Sequence, residues 1–277
     1  MARDITQLHP KLQELAKKLI DECKKKNINI KIGECLRTVQ EQNDLYAQGR
    51  TKSGNKVTNA KGNSYSSMHQ WGVAFDFFLD MDIDGDGKKS DDAFNNSTKM
   101  FDKVGAIGKS FGLEWGGDWK SPVDRPHFQL PDWGSTPKKL KKLYRTPDKF
   151  ITTWKVTDGK FILTKPSKDW VKRLQITLNK LGYKDKDGKV LSVDGVVGAK
   201  TKSACPSLKR GIKNELVGLA QERIIELGFD PKGIDNSFGG GMANAIVDMK
   251  KEIMGSKNPT STLGNLSWDV LLGIYKK

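Results

Sequence analysis

Cysteine and histidine are scarce in this chain of 277 residues, with three of each. The cysteines Cys23, Cys35 and Cys205 are odd in number and lack CxxC spacing, which argues against a disulfide framework and a cysteine metal site. No apolar run is long enough to span a bilayer, and residues 1–10 lack the apolar core of a signal peptide. We therefore expect synthesis in a reducing cytoplasm and no membrane insertion.

An arginine-rich arm and a strip of alternating basic and aromatic residues are also missing, which argues against nucleic acid as a partner. The net charge is nevertheless +15, from 48 Lys and Arg against 33 Asp and Glu. Such a chain is attracted to polyanions, among them nucleic acid, membrane headgroups and acidic wall polymers, and charge alone does not choose between them. The length predicts two domains.

Apolar spacing in the first half predicts both helices and strands. Helical periods run from Pro10 to Cys23 and over residues 94–111, whereas Ile28–Ile32, Trp71–Leu79 and Phe128–Leu130 are typical of strands. The sequence therefore predicts a mixed α+β domain, which we place at residues 1–145.

The second half predicts a linker and then an all-α domain. Residues 146–167 contain prolines and polar residues, with a short strand expected near residues 161–163. In residues 168–277 a glutamine precedes a Leu-Gly-aromatic triplet by the same spacing twice, and a Gly-rich loop follows each time. This pattern predicts two repeats, 168–210 and 211–277, each with a helix, a turn and a second helix.

Two histidines and an aspartate indicate a metal site. His69, Asp76 and His127 supply three ligands of the kind that a catalytic zinc uses, with its fourth position left for water. Asp124, three residues before His127 in a segment fixed by Pro126, is placed to act as a general base. The alternative is that each of these residues is structural.

An acidic loop follows the second strand and fits the spacing of an EF-hand calcium loop, with glycine at the sixth place and aspartate instead of glutamate at the twelfth. Its acidic residues are Asp80, Asp82, Asp84, Asp86 and Asp91. We expect Ca²⁺ to bind there and to order the strand that carries Asp76; the alternative is a solvated acidic loop.

Two separated motifs carry a resemblance to a known family. They are Ser67-x-His69-x-x-Gly72-x-Ala74-x-Asp76 and Asp124-x-x-His127, with Leu36-Arg37-Thr38, Gln42 and Trp115-Gly116-Gly117-Asp118-Trp119 in the matching order. Residues 8–135 resemble the VanY-type D-Ala-D-Ala carboxypeptidases and the related L-alanyl-D-glutamate endopeptidases of phage lysins. The resemblance implies a Hedgehog/D-Ala-D-Ala-peptidase-like zinc domain with a small antiparallel sheet and helices.

The same resemblance implies roles for individual residues. His69, Asp76 and His127 would bind zinc, Asp124 would be the acid and base, and Arg37 would meet the substrate carbonyl oxygen. Ser67 and Gln129 would orient ligands or substrate, or only satisfy backbone groups. Tyr46, Trp115 and Trp119 would line a cleft, with core packing as the alternative.

The second half resembles tandem peptidoglycan-binding modules of the three-helix type. Its second copy departs from the pattern at Asn236 and Met242. A helical accessory domain without a ligand is the alternative.

Together these resemblances imply a bacteriophage endolysin, a zinc metallopeptidase of lytic and antimicrobial action. It would be made in the host cytoplasm and would hydrolyse the stem peptide of peptidoglycan at the wall after release, at the L-Ala-D-Glu bond. The alternatives are a D-Ala-D-Ala carboxypeptidase and a non-catalytic, zinc-containing wall-binding protein.

Overall fold

A computed structural model describes residues 4–154 and 164–276, which fall into two compact units, Met1–Ile151 and Thr152–Lys277. The strand expected near residues 161–163 lies outside the described residues. None of the described helices is long and apolar enough to cross a membrane.

The first unit contains four strands and five α-helices within its described residues. The strands are β1 (Ile30–Ile32), β2 (Ala74–Leu79), β3 (Glu114–Trp115) and β4 (His127–Gln129). The helices are α1 (Pro10–Lys25), α2 (Val39–Ala47), α3 (Met100–Ser110), α4 (Lys138–Tyr144) and α5 (Pro147–Thr152). Short 3₁₀ turns include Met68–Trp71 and Gly116–Asp118.

The strands form one sheet in the order β1-β2-β4-β3, which confirms the small antiparallel sheet that the family resemblance implied. Strand β2 is central and pairs with β1 through Ile30 and Leu79 and with β4 through Asp76 and His127. Register matters here, because a slip of one residue would turn every side chain of a strand to the opposite face. The pairing thus sets Asp76 directly opposite His127.

Aromatic side chains of the sheet pack against α3. The Phe77 ring lies 5.0 Å from the Phe101 ring and 5.5 Å from the Phe128 ring, and all three side chains are buried. Helix α3 approaches closely because it carries glycine where it meets the sheet, with Gly108 against the Phe128 ring and Gly105 against Trp115.

Helix α3 begins at Met100, six residues later than the apolar spacing predicted. Lys99 adopts a left-handed conformation with φ of 57°, and the Asn96 side chain accepts a hydrogen bond from the Phe101 backbone N–H. These features end the preceding loop, so Phe94 lies outside the helix and is exposed.

The linker predicted from residue 146 begins later in the structure. Helix α5 occupies Pro147–Thr152, and its Phe150 is buried with its ring 4.8 Å from that of Tyr144. An apolar side chain packed in this way contributes to the core of the first unit, so this part of the predicted linker is wrong.

The second unit is helical within its described residues. Its helices are α6 (Lys168–Lys180), α7 (Ala199–Ala204), α8 (Glu215–Glu226), α9 (Gly240–Glu252) and α10 (Asn265–Leu271). Their apolar faces enclose a core that includes Trp170 and Trp268.

A buried glutamine holds a loop in each of the two predicted repeats. Gln175 donates to Asp194 Oδ1 at 2.8 Å and accepts from the Gly195 backbone N–H at 2.9 Å. Gln221 makes the matching contacts with Asp235, at 2.7 Å to Oδ1 and 3.0 Å from the backbone N–H. Each amide satisfies loop groups that burial would otherwise leave unpaired.

We predict that Gly108→Ala lowers the free energy of unfolding of the first unit by about 1–3 kcal/mol, because the new methyl group overlaps the buried Phe128 ring. Urea unfolding followed by circular dichroism measures the change. Lys103→Ala, on the exposed side of the same helix, is the control and should change stability by less than about 0.5 kcal/mol. Alanine is the better helix former, so a more stable Gly108→Ala variant would contradict the close packing described here.

Candidate metal centre

Three side chains converge at the end of the sheet where β2 and β4 pair. The antiparallel register sets Asp76 of β2 opposite His127 of β4. His69 lies in the 3₁₀ turn Met68–Trp71, and Gly72 then turns the chain toward β2 with φ of 66°. Glycine adopts this left-handed conformation without steric cost, so the motif spacing is also the spacing of a turn.

The ligand atoms form a nearly equilateral triangle. His69 Nε2 lies 3.1 Å from His127 Nδ1 and 3.3 Å from Asp76 Oδ1, and His127 Nδ1 lies 3.2 Å from the same Asp76 oxygen. A tetrahedral zinc with ligands about 2.0–2.1 Å away separates them by roughly 3.3–3.4 Å. The triangle therefore has the size of one face of such a tetrahedron, and the residues fit a metal ion.

The outer nitrogen of each imidazole is bound to the protein. His69 Nδ1 lies 3.0 Å from the Cys35 carbonyl oxygen, and His127 Nε2 lies 3.0 Å from Gln129 Oε1. Both partners are acceptors, so each outer nitrogen carries the proton and donates it. The lone pairs of His69 Nε2 and His127 Nδ1 then point toward Asp76, in the tautomers that metal binding requires.

Burial and the facing groups shape the electrostatics of the triad. Burial raises the pKa of Asp76, but the charges and hydrogen bonds of His69 and His127 outweigh it and hold that pKa well below its usual range. Burial lowers the pKa of His127, and the hydrogen bond and charge of Asp76 reverse this into a net rise. The site therefore favours positive charge, either protons or a bound cation.

Arg37 is fixed beside the triad. Its Nε forms an ion pair with Glu34, and its Nη1 donates to Gln42 Oε1 at 2.7 Å and to Ser67 Oγ at 3.4 Å. Arg37, Glu34 and Gln42 are all buried. No described residue accepts a hydrogen bond from Nη2, which leaves this donor for a ligand.

Asp124 approaches the triad from the loop before β4. Its backbone N–H donates to the Gly116 carbonyl at 2.9 Å, and its own carbonyl accepts from the His127 N–H at 3.2 Å. A side chain at Gly116 would collide with the Asp124 backbone, so glycine permits this close approach. Burial raises the pKa of Asp124, and the charge of Asp76 adds to the rise while His127 opposes it.

Comparison with known proteins supports a peptidase. The family model described as D-alanyl-D-alanine carboxypeptidase, peptidase M15, matches residues 60–130. A relative named peptidoglycan L-alanyl-D-glutamate endopeptidase CwlK, from Bacillus subtilis (strain 168), is 39% identical over 132 residues, which are 44% of this chain and 73% of the relative. The chain belongs to the M15 peptidase family. It is an enzyme.

Two further proteins are similar to this M15 peptidase. A relative named L-alanyl-D-glutamate peptidase, from Listeria phage A118, is 31% identical over 127 residues, 46% of this chain and 39% of the relative. The crystal structure of the Serratia marcescens L-Ala D-Glu endopeptidase ChiX covers 47% of this chain and 86% of its own, at 21% identity and a TM-score of 0.32.

The structure distinguishes among the aromatic residues expected to line the cleft of the M15 domain. Trp115 is buried and donates from Nε1 to the Arg125 carbonyl at 2.7 Å, so it packs in the core rather than lining a cleft. Trp119 is half-buried with its ring 4.9 Å from the His127 ring, which places it beside the triad. The Arg50 guanidinium lies over the Tyr46 ring, 4.0 Å from the centre of that ring.

Ser67 and Gln129 differ in what they contact. Ser67 meets Arg37, as described above, and so lies beside the site. Gln129 is buried and holds His127, which favours a role in orienting that ligand over contact with substrate. Its Nε2 has no hydrogen-bond partner within the described ranges.

The acidic loop brings together a different set from the one predicted. Asp82, Asp84 and Asp92 have carboxylate oxygens within 4.8 Å of one another. Asp91, expected at the twelfth place, is not in this group. The buried Asp92 is, and it accepts hydrogen bonds from the Ile83 and Asp84 backbone N–H groups.

Asp80 and Asp86 also lie outside the acidic group. Asp80 pairs with Lys31 at 3.0 Å and Asp86 with Lys88 at 3.3 Å. Only Asp82 and Asp84 of the predicted set belong to this group, and calcium binding at the loop stays a prediction.

Two parts of the site were missed from the sequence. The acceptor at Cys35 is a backbone carbonyl oxygen, and because every residue has one, the residue type does not predict it. Glu34 forms the buried ion pair with Arg37, and only their three-residue separation hints at it.

We predict that Gln129→Leu weakens zinc binding by roughly 10- to 100-fold, because His127 loses the acceptor that sets its tautomer. Titration of the metal-free chain against a chromophoric chelator measures the affinity without relying on activity. Gln129→Glu keeps an acceptor at the same place and should bind zinc at least as tightly as the unaltered chain. Equal affinity in all three would show that His127 does not depend on Gln129.

Proposed function

We propose that the chain is a zinc endopeptidase that degrades peptidoglycan by hydrolysing the L-alanyl-D-glutamate bond of the wall stem peptide. The observation that carries the proposal is the triangle of His69, Asp76 and His127, in a chain that is 39% identical over 132 residues to a relative named for that activity. The family description favours a second candidate, a D-alanyl-D-alanine carboxypeptidase.

His69 Nε2, Asp76 and His127 Nδ1 would hold the zinc. Zinc held in this way would supply Lewis acidity, which lowers the pKa of water to near neutrality and polarises a carbonyl group. The outer hydrogen bonds to Cys35 and Gln129 keep both imidazoles in place, so little reorganisation is needed during the reaction.

Arg37 would bind the scissile carbonyl oxygen. Three contacts fix its guanidinium, and Nη2 is left to donate to the oxygen as negative charge develops on it. A donor held in place before the reaction stabilises the transition state more than one that must be ordered during it.

Asp124 would carry the proton. It accepts one proton from the attacking water as the new C–O bond forms, and then passes it to the departing amine nitrogen as the C–N bond breaks. Its raised pKa suits this work, because a weaker acid is a stronger base in its ionised form. Among the described residues none donates a hydrogen bond to its carboxylate, which leaves the oxygens available to water.

We propose further that residues 168–277 bind the wall and tether the enzyme to its insoluble substrate. The second unit is basic, with 22 Lys and Arg against 13 Asp and Glu, which favours an acidic polymer. Tethering raises the local concentration of substrate without any change at the triad.

We predict that digestion of purified peptidoglycan frees new N-terminal D-glutamate, which mass spectrometry of the soluble fragments detects. Release of free D-alanine without new D-glutamate termini would instead support the carboxypeptidase. A chelator should stop the reaction and added zinc should restore it, because the three ligands are useless for hydrolysis without the ion.

We predict that Asp124→Asn lowers the rate of wall digestion by about 10²- to 10⁴-fold, because the amide cannot accept the proton. Zinc content and wall sedimentation should stay unchanged, since Asp124 lies outside the ligand triangle. Asp118→Asn is the matched control, an exposed carboxylate nearby that pairs with Lys109 at 2.8 Å, and it should retain activity. Normal digestion by the Asp124→Asn chain would remove Asp124 from the mechanism.

A further inference from the structure

An open cavity of about 410 Å³ lies at the surface of the second unit. It is bounded by the end of α9, the segment 256–262 and the start of α10. Ligand sites of small molecules commonly have volumes of about 300–1,000 Å³. The cavity is therefore large enough for a sugar ring and its substituents.

Lys250 holds one wall of the cavity in place. Its Nζ donates to the Thr260 carbonyl at 2.8 Å, to Thr260 Oγ1 at 3.0 Å and to the Thr262 carbonyl at 2.8 Å. An ammonium group has three protons, so these contacts use all of them. The wall is thus formed before a ligand arrives, and Lys250 has no proton left for a ligand anion.

The remaining lining is uncharged and of mixed character. Apolar surface comes from Met254 and Leu266, and Leu266 is 60% exposed. Hydroxyl and amide groups come from Ser256, Asn258 and Asn265. Such a lining suits a neutral ligand that has apolar C–H faces together with hydroxyl and amide groups.

We propose that this cavity binds an N-acetylated amino sugar of the wall glycan. The sugar ring and acetamido methyl group would lie against Leu266 and Met254, and its hydroxyl and amide groups would meet Asn258 and the neighbouring polar side chains. The assignment rests on the proposed wall-binding function of the second unit and names the part of the wall that is bound.

A different surface of the same unit is compared with the cavity as a possible site of wall contact. In the first repeat, residues 190–196 form a loop that Gln175 holds at Asp194 and Gly195, and this loop exposes Val190 and Val196, at 67% and 58%. In the second repeat the loop that Gln221 holds has its apolar Ile234 and Phe238 buried. The valine loop is thus the competing site for wall contact, with equally exposed apolar groups but outside the cavity.

The test uses the full chain and tri-N-acetylchitotriose as the probe. We predict that the sugar shifts amide resonances of the residues around Asn258 and Leu266 in ¹⁵N-correlated spectra. The double variant Asn258→Ala, Leu266→Ser should weaken sugar binding at least about tenfold, since it removes one polar and one apolar contact. Both side chains are exposed, so the fold should persist, and the unaltered remainder of the spectrum checks this.

The control is Val190→Ser, Val196→Ser, which removes two exposed apolar side chains outside the cavity and should leave sugar binding unchanged. The proposal is overturned if the sugar does not bind, if the cavity variant binds as the unaltered chain does, or if only the valine variant loses binding. Sedimentation with purified walls separates the two hypotheses. A chain that binds walls but no sugar overturns the cavity assignment alone, whereas a chain that does not bind walls overturns the wall-binding function.

Discussion

The antiparallel pairing of Asp76 with His127 is the constraint on which the rest of the first unit depends. It sets a carboxylate and an imidazole opposite each other on neighbouring strands, with 3.2 Å between the ligand atoms. Slippage by one residue would send both side chains to opposite faces and destroy the site. The buried aromatic packing against α3, made close by Gly105 and Gly108, is what opposes such slippage.

A short backbone segment, residues 33–37, completes the site from the other side of β2. The Cys35 carbonyl orients His69, the Glu34 carbonyl accepts from the Asp76 N–H at 2.8 Å, and the Arg37 N–H donates to the His69 carbonyl at 3.2 Å. The segment therefore fixes two ligands while it positions the guanidinium of Arg37. Groups fixed before substrate arrives lose little entropy in the reaction, which favours catalysis.

In the second unit buried side-chain amides hold the loops in place, whereas in the first unit a sheet positions the site. Gln175 and Gln221 each donate to and accept from groups of a loop in their repeat. Lys250 likewise holds one wall of the cavity in place with three hydrogen bonds. Polar groups buried with all their partners make loops rigid, and a rigid loop can present a binding surface at low entropic cost.

The sequence by itself predicted that His69, Asp76 and His127 act together, and the family resemblance implied a small antiparallel sheet. Motif spacing and alternating apolar residues are local properties of the chain, so they can be read before the fold is known. It also placed Asp124 and Arg37 beside the triad, through the family resemblance. It misplaced the start of α3 and the end of the first unit, where the Lys99 conformation and the burial of Phe150 overrode apolar spacing and composition.

Only the tertiary structure decided which nitrogen of each histidine faces Asp76, since that depends on the Cys35 carbonyl and on Gln129. It also showed that Trp115 packs in the core rather than lining a cleft, and that the acidic group contains Asp92 and not Asp91. These outcomes depend on contacts between residues far apart in the chain and on backbone atoms common to every residue. Residue type and spacing do not predict these two kinds of contact, so only the folded structure could show them.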